Sequence, residues 1–101
     1  MPIIYKVRLT GKAERDIENI FSYLMRERPT AAGKFIYKLE DTIARLNHSP
    51  ARFPKIREHL QSRRTYRQLL FSSYRLVYRI HRNEIILLRV LHQAQLIRDL
   101  E

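Results

Sequence analysis

The residues best suited to chemistry are two arginines in the segment Tyr74–His81. In a β-strand, alternate side chains point to opposite faces. One face of this segment would carry Tyr74, Leu76, Tyr78 and Ile80, and the other would carry Arg75, Val77, Arg79 and His81. A guanidinium binds phosphates and carboxylates through paired hydrogen bonds, and its plane stacks on bases. The pattern predicts that Arg75 and Arg79 lie on the open side of a sheet and bind a macromolecule. Alternatively, these arginines only keep that face soluble.

Basic side chains in neighbouring segments extend this predicted surface. Arg67 lies in the preceding predicted strand, with Arg64 just before it, and Arg89 lies in the last strand; the registers of these strands decide whether Arg67 and Arg89 join the same face. His92 ends the last strand and would be a general acid, an anchor for the residues that follow, or a passive edge residue. The candidate binding residues are therefore Arg64, Arg67, Arg75, Arg79, Arg89 and His92. If the chain is a nuclease, Arg75, Arg79 and His92 are the catalytic candidates.

Composition and spacing argue against most other kinds of site. The histidines are His48, His59, His81 and His92. No two of them have metal-ligand spacing, and the chain has no cysteine. Two glycines are too few for a phosphate-binding loop. The early carboxylates Glu14, Asp16 and Glu18 suit a helix dipole and solvation better than acid–base catalysis. We expect neither a metal nor a cofactor.

The charge is strongly positive and unevenly distributed. The 20 Lys and Arg residues outnumber the 10 Asp and Glu residues, which gives a net charge of +10. The stretch between His59 and Asn83 contains many arginines and no carboxylate. Such a field favours a polyanionic target or an acidic protein partner. The alternative is a basic surface that is merely solvated.

The elements that position these residues begin with a strand and two helices. Apolar and basic residues alternate over Ile3–Leu9, which predicts a half-buried strand. Apolar residues at helical spacing then predict a helix over residues 11–28, with Thr10 as its N-cap, and a second helix over residues 30–47, capped by Thr30. The connection is so short that the helices form an antiparallel hairpin.

The second half of the chain predicts a loop and three more strands. Residues 49–64 include two prolines and have no clear period, which indicates a surface loop with at most one short helical turn. Residues 66–71, 74–81 and 84–92 are rich in β-branched and aromatic residues and predict an antiparallel meander. Residues 93–101 could form a short helix or an arm. The expected fold is α+β, a single domain over residues 1–101, with both helices on one face of a four-stranded sheet.

Several of these segments together resemble the ParE/RelE superfamily of toxins from type II toxin–antitoxin systems. The matching segments are Leu9-Thr10, Ala13–Ile17, Leu46–Pro50, Tyr74–Ile80 and Ile86–His92. The resemblance covers nearly the whole chain. It implies the sandwich described above and neutralisation by a cognate antitoxin.

The superfamily has branches with different targets. RelE-like members cleave mRNA in the ribosome with basic side chains on the sheet, and Arg75 matches one of these. The other expected basic positions are occupied by Tyr66, Gln68 and Gln95. ParE-like members bind DNA gyrase and need no catalytic groups. The long hairpin and the ending Val90-Leu91-His92 look more like ParE, so we expect a gyrase inhibitor; the alternative is a ribosome-dependent mRNA endonuclease.

The expected partners follow from the same resemblance and from the charge. They are an acidic antitoxin, bound as a hetero-oligomer, and DNA gyrase, or the ribosome and mRNA in the alternative interpretation. The chain has no apolar run near the roughly 20 residues that span a bilayer, and no basic region precedes its first apolar stretch. We therefore expect a cytoplasmic protein that does not contact membranes.

Overall fold

The computed structural model describes residues 3–101; Met1 and Pro2 lie outside this range. The elements are β1 (Lys6–Leu9), α1 (Gly11–Glu27), α2 (Pro29–Leu46), a 3₁₀ turn (Pro50–Arg52), β2 (Arg67–Phe71), β3 (Tyr74–His81) and β4 (Glu84–His92). The predicted α+β order of strand, helical hairpin and three strands is confirmed. No helix within the described range is long and apolar enough to cross a membrane.

The first elements differ from the prediction at their ends. β1 begins at Lys6 rather than Ile3, whose side chain is 60% exposed. Thr10 is the N-cap of α1, as predicted, and its side chain accepts a hydrogen bond of 3.2 Å from the first turn. The prediction that Thr30 caps α2 is wrong, because α2 begins at Pro29. Proline suits this position because the first helical N–H has no partner within the helix.

The four strands form one sheet in the order β1-β4-β3-β2. β2, β3 and β4 form the predicted antiparallel meander, while β1 pairs in parallel with β4. Both reversals are two-residue turns, and their first residues, Ser72 and Arg82, have φ of 51° and 56°. The pairing of β3 with β4 is irregular beside Val77, where Leu88 bulges out of the register.

The helices cover one face of the sheet, and this face holds the larger core. The apolar residues of β3 predicted for this face, Leu76 and Tyr78, are fully buried there. The Tyr78 hydroxyl donates a 2.5 Å hydrogen bond to the Pro50 carbonyl oxygen, which ties the loop after α2 to the sheet. Burial raises the pKa of Tyr78 to about 12, so the phenol stays protonated.

The opposite face of the sheet is largely covered as well, which the sequence did not lead us to expect. Its buried residues are Tyr66, Val77, Ile86, Leu88, Leu91, Ile97 and Leu100, with Ile56 and Leu60 packed against them. The loop predicted to run over the surface therefore contributes to a second core. Residues 93–101 form an arm without regular helix or strand, and this arm closes the same core through Ile97 and Leu100.

Candidate functional site

The candidate binding residues occupy three separate places. Arg75 lies inside the second core. Arg64, Arg67 and Arg79 line an open groove at one end of the sheet. Arg89 and His92 line a smaller pocket beside α1. The single arginine-rich surface predicted from the strand pattern is therefore not present as such.

Arg75 is fully buried, so the expectation that it lies on an open sheet face is wrong. Its guanidinium donates to both carboxylate oxygens of Glu58, with Nη1 to Oε1 at 3.0 Å. Nη1 also donates to Gln68 Oε1 at 2.9 Å, and Nη2 donates to the carbonyl oxygen of Gln95 at 2.9 Å. Arg75 is on the predicted face of β3, but the loop and the arm cover that face at this point. We call these four residues the Arg75 cluster.

The Arg75 cluster joins three parts of the chain that are distant in sequence. Glu58 comes from the loop before β2, and one of its oxygens also accepts the backbone N–H of Ile97 in the arm at 3.0 Å. The hydrogen bonds from Arg75 hold the pKa of Glu58 down at about 2, against the effect of burial. Glu58 is therefore ionised at neutral pH, and its charge holds Arg75 and the arm together.

The groove at this end of the sheet is strongly cationic. It has a volume of about 850 Å³. It is lined by Arg8, Arg64, Thr65, Arg67, Arg79, Ile80, His81, Glu84 and Ile86. Arg8 pairs loosely with Glu84 at 3.7 Å, and Arg67 donates to the carbonyl oxygen of Phe53 at 2.7 Å. Four guanidiniums thus face one carboxylate of the lining. We call this feature the arginine groove.

Glu101 lies at the border of the arginine groove and binds two of its arginines. Arg64 Nη1 is 2.6 Å from Glu101 Oε2, and Arg79 Nε donates to Oε1 at 3.1 Å. The hydroxyl of Tyr66 donates to Oε2 at 2.8 Å. Burial alone would raise the pKa of Glu101, but hydrogen bonds from these three donors lower it below its ordinary value. The carboxylate therefore remains charged within the groove's cationic field.

Arg89 is used to hold α1 against the sheet. Its Nε and Nη2 donate to the two carboxylate oxygens of Asp16 at 2.6 and 2.9 Å, and the backbone N–H of Val90 donates to Asp16 at 3.0 Å. The hydrogen bonds to Asp16 raise the pKa of Arg89 further. Asp16 therefore does more than complement a helix dipole, which corrects the sequence interpretation.

His92 is exposed and anchors the start of the arm. Its Nδ1 accepts the backbone N–H of Ala94 at 3.2 Å, and its ring meets Tyr74 edge-on with 6.2 Å between centroids. This is the anchoring role that the sequence left open beside a catalytic one. No group of three His, Asp or Glu side chains within residues 3–101 could hold a metal ion.

Comparison with known proteins identifies the family. Residues 7–97 match the model of the ParE toxin of the type II toxin–antitoxin system parDE. The chain belongs to the ParE toxin family. A comparison with curated proteins gave no match.

Two solved structures share the ParE-like fold of this chain. One is the chromosomal ParDE toxin–antitoxin system from P. aeruginosa, at 17% identity and a TM-score of 0.72, covering 88% of this chain and 96% of the other. The second is the RelBE2 toxin–antitoxin complex from Mycobacterium tuberculosis, at 24% identity and a TM-score of 0.61. That match covers 90% of this chain and all of the other. The match to the ParE family confirms the expected superfamily, and the two structures confirm the expected fold.

Three residues near Arg75 are neutral at positions where RelE-like toxins are expected to have basic side chains. Tyr66, Gln68 and Gln95 stand where the RelE-like resemblance expects basic groups. Gln68 and Gln95 instead present oxygens to Arg75, and Tyr66 donates to Glu101. The sequence identified these neutral residues, but it did not identify Glu58 and Glu101 as partners of the arginines. Glu58 had a signal in its position, since it is the acidic residue just before the carboxylate-free, arginine-rich stretch, whereas Glu101 lies 18 residues beyond that stretch and had no such signal.

Proposed function

We propose that this ParE-family toxin inhibits DNA gyrase by binding it directly, and that a cognate acidic antitoxin neutralises it. The action takes place in the cytoplasm, and toxin and antitoxin form a hetero-oligomer. The domain responsible spans residues 1–101. The proposal requires a binding surface but no catalytic centre of the toxin's own.

The separation of Arg75, Arg79 and His92 is the observation that carries this proposal. Arg75 is buried and its guanidinium is bonded within the protein. His92 pairs with Tyr74 on the helix side of the sheet, whereas Arg79 lies on the opposite face. Tyr74 and Arg79 are five residues apart on β3, which is roughly 16 Å along a strand. General acid–base catalysis needs groups within hydrogen-bond reach of one reacting phosphate, and these residues do not share such a position.

The charge and the exposed apolar residues support an acidic, amphipathic antitoxin. The net charge of +10 favours an acidic partner. Tyr23, Met25 and Tyr37 on the hairpin are about half or more exposed, at 52%, 48% and 75%. Such side chains offer anchors to the apolar side of a partner segment. The two similar solved structures are themselves toxin–antitoxin systems, which agrees with a partner of this kind.

Two parallel assays on the purified toxin, free of antitoxin, test the proposal. One measures plasmid supercoiling by gyrase, and the other measures primer extension on mRNA in a translating extract. We expect blocked supercoiling and intact message. Message cut at codon boundaries with gyrase unaffected would overturn the proposal and support the endonuclease alternative.

A control for charge is essential, because a protein of +10 also coats plasmid DNA. An unrelated basic protein of similar net charge and size should leave supercoiling intact at the concentration where the toxin blocks it. Preincubation of plasmid with toxin, followed by excess gyrase, should restore supercoiling if gyrase is the target. If inhibition is instead relieved by adding more plasmid and not by adding more gyrase, direct binding to gyrase is contradicted.

A further inference from the structure

The carboxylate of Glu101 is held as a bound anion would be. Three donors converge on its two oxygens: Arg64 at 2.6 Å, the Tyr66 hydroxyl at 2.8 Å and Arg79 at 3.1 Å. Guanidiniums and hydroxyls bind phosphate oxygens with the same geometry as carboxylate oxygens. The groups that hold Glu101 therefore form a site for an anionic group, occupied by the protein's own side chain.

Two of the three donors, Tyr66 and Arg79, are positioned by the fold and not by Glu101 alone, whereas the Arg64 side chain is 53% exposed. Tyr66 is 7% exposed and packs in the second core, and its hydroxyl lies 3.2 Å from Ser62 Oγ. Arg79 projects from β3, and its side chain is only 15% exposed. Glu101 belongs to the arm, which Ile97 and Leu100 hold through their own burial. Its side chain can therefore leave the site without loss of the second core.

The arginine groove continues this site with more charge but without an apolar anchor. Arg8 and Arg67 lie along it, and only Glu84 in the lining opposes them. Of the two isoleucines in the lining, Ile86 is 2% exposed, and Ile80 is partly buried and packs against the helix-side core. Peptide interfaces depend on buried apolar anchors, whereas a nucleic-acid backbone needs successive cationic contacts. The groove therefore fits a chain of phosphates better than an acidic peptide.

We propose that Arg64, Tyr66 and Arg79 form a phosphate-binding site for a nucleic-acid strand lying in the arginine groove. Glu101 occupies the site in the free protein and competes with the strand. The strand displaces it because one phosphate takes its place while neighbouring phosphates reach Arg8 and Arg67. This inference goes beyond gyrase inhibition and stands whether or not gyrase is the target.

Fluorescence anisotropy with a labelled oligodeoxythymidine of about 12 nucleotides tests the site, because a strand of that length matches typical single-strand binding sites. Glu101→Gln removes the competing charge and should tighten binding about threefold to tenfold. Glu40→Gln removes the same charge from an exposed position on α2 and should change affinity less than about twofold. If the two variants change the affinity for the oligonucleotide equally, the proposal that Glu101 competes with the strand is wrong.

The arginines are tested through the salt dependence of binding. Arg64→Gln alters a side chain that is 53% exposed, so it should fold normally. It should weaken binding about fivefold and lower the slope of log affinity against log salt by about 0.7, the value for one lost contact to a single strand. Arg26→Gln, at the exposed end of α1, should leave the slope unchanged. An unchanged slope for Arg64→Gln would overturn the proposal.

Competitors distinguish a strand from other anions. At equal ionic strength, unlabelled oligonucleotide should displace the probe at far lower concentration than inorganic phosphate or polyglutamate. If inorganic phosphate displaces the probe as well as the oligonucleotide does at the same total concentration of phosphate groups, the groove binds a single ion and not a strand. Stronger displacement by polyglutamate would assign it to an acidic protein. Either result would contradict the proposal, and neither depends on gyrase.

Discussion

Glu58 and Arg75 form an ion pair with two hydrogen bonds in which the side chains are only 10% and 0% exposed. The pair joins the loop before β2 to the middle of the sheet, and the Glu58 carboxylate extends the connection to the arm at Ile97. The residue that looks most like a catalytic arginine in the sequence thus serves to hold the second core together.

Removing the charge of Glu58 should destabilise the protein strongly. Glu58→Gln leaves the buried guanidinium of Arg75 without a counter-charge, which costs on the order of 3 kcal/mol. Glu84→Gln is a suitable control because it breaks the exposed 3.7 Å pair with Arg8 and should cost less than about 1 kcal/mol. Urea unfolding of both variants measures the difference. Equal stabilities would show that the buried pair contributes nothing beyond a surface pair.

The same carboxylate should make stability depend on pH in the acid range. The hydrogen bonds from Arg75 hold the pKa of Glu58 at about 2 in the folded protein, compared with 4.5 unfolded. Because the folded pKa is depressed, the stabilisation is complete above pH 4.5 and is lost as the pH falls toward 2. It amounts to about 3 kcal/mol. Thermal unfolding between pH 7 and 3 should show a steeper loss for the wild type than for Glu58→Gln. Parallel curves would contradict this assignment.

Removing the charges of both Glu58 and Arg75 should lower the free energy of unfolding by less than the sum of the two single changes. Arg75→Met combined with Glu58→Gln removes both buried charges, so the double variant should be more stable than the sum of the single effects by about 1–3 kcal/mol. A double-mutant cycle by urea unfolding measures this coupling. If gyrase is the target and Arg75 is structural, the double variant still blocks supercoiling. If the double variant is folded but no longer inhibits gyrase, Arg75 instead belongs to the surface that contacts gyrase.

Asp16 should contribute much more than the other acidic residues of α1. Asp16→Ala removes two charge-assisted hydrogen bonds from Arg89 and one from the backbone of Val90, which costs about 2 kcal/mol. Glu18→Ala changes an exposed residue of the same helix and should cost less than about 0.5 kcal/mol. Equilibrium unfolding compares them. A similar cost for both would mean that α1 is held by apolar packing alone.

The turn between β2 and β3 offers a stabilising change. Ser72 has φ of 51°, which disfavours a side chain by about 1–2 kcal/mol, whereas glycine adopts it freely at a smaller entropic cost. Ser72→Gly should therefore stabilise the protein by about 0.5–1 kcal/mol. Ser73→Gly lies outside the positive-φ region and should be neutral or destabilising. If Ser72→Gly lowers the melting temperature as Ser73→Gly does, backbone strain at this turn is not significant.

The meander and the hairpin were predictable because their patterns are local. Strand bounds at 74–81 and 84–92 agree with the structure, and the two faces of β3 are as predicted. The cover over the second face was not predicted, because Ile56, Leu60, Ile97 and Leu100 follow no period. A signal was present in β4, where Ile85–Leu88 form a continuous apolar run. Such a run indicates a strand buried on both faces.

The candidate site was predicted only in part, because some of its contacts come from irregular segments that follow no local pattern. Residue types identified Arg64, Arg67 and Arg79, which do line one groove. Strand alternation also placed Arg75 on the correct face, but it could not show that Glu58 and Gln95 would reach over it from outside the sheet. Long-range ion pairs depend on how irregular segments lie, and local sequence patterns contain little information about that.

The parallel pairing of β1 with β4 has a consequence for how the protein is made. Lys6 lies opposite Glu84, so the first strand has no partner in the sheet until β4, about 80 residues later in the chain, has left the ribosome. Sheets closed by such distant contacts form slowly, since the connecting chain must first be ordered. During synthesis the nascent toxin therefore exposes apolar helix faces and an incomplete sheet. Any surface built on the complete sheet can therefore form only after β4 has been synthesised.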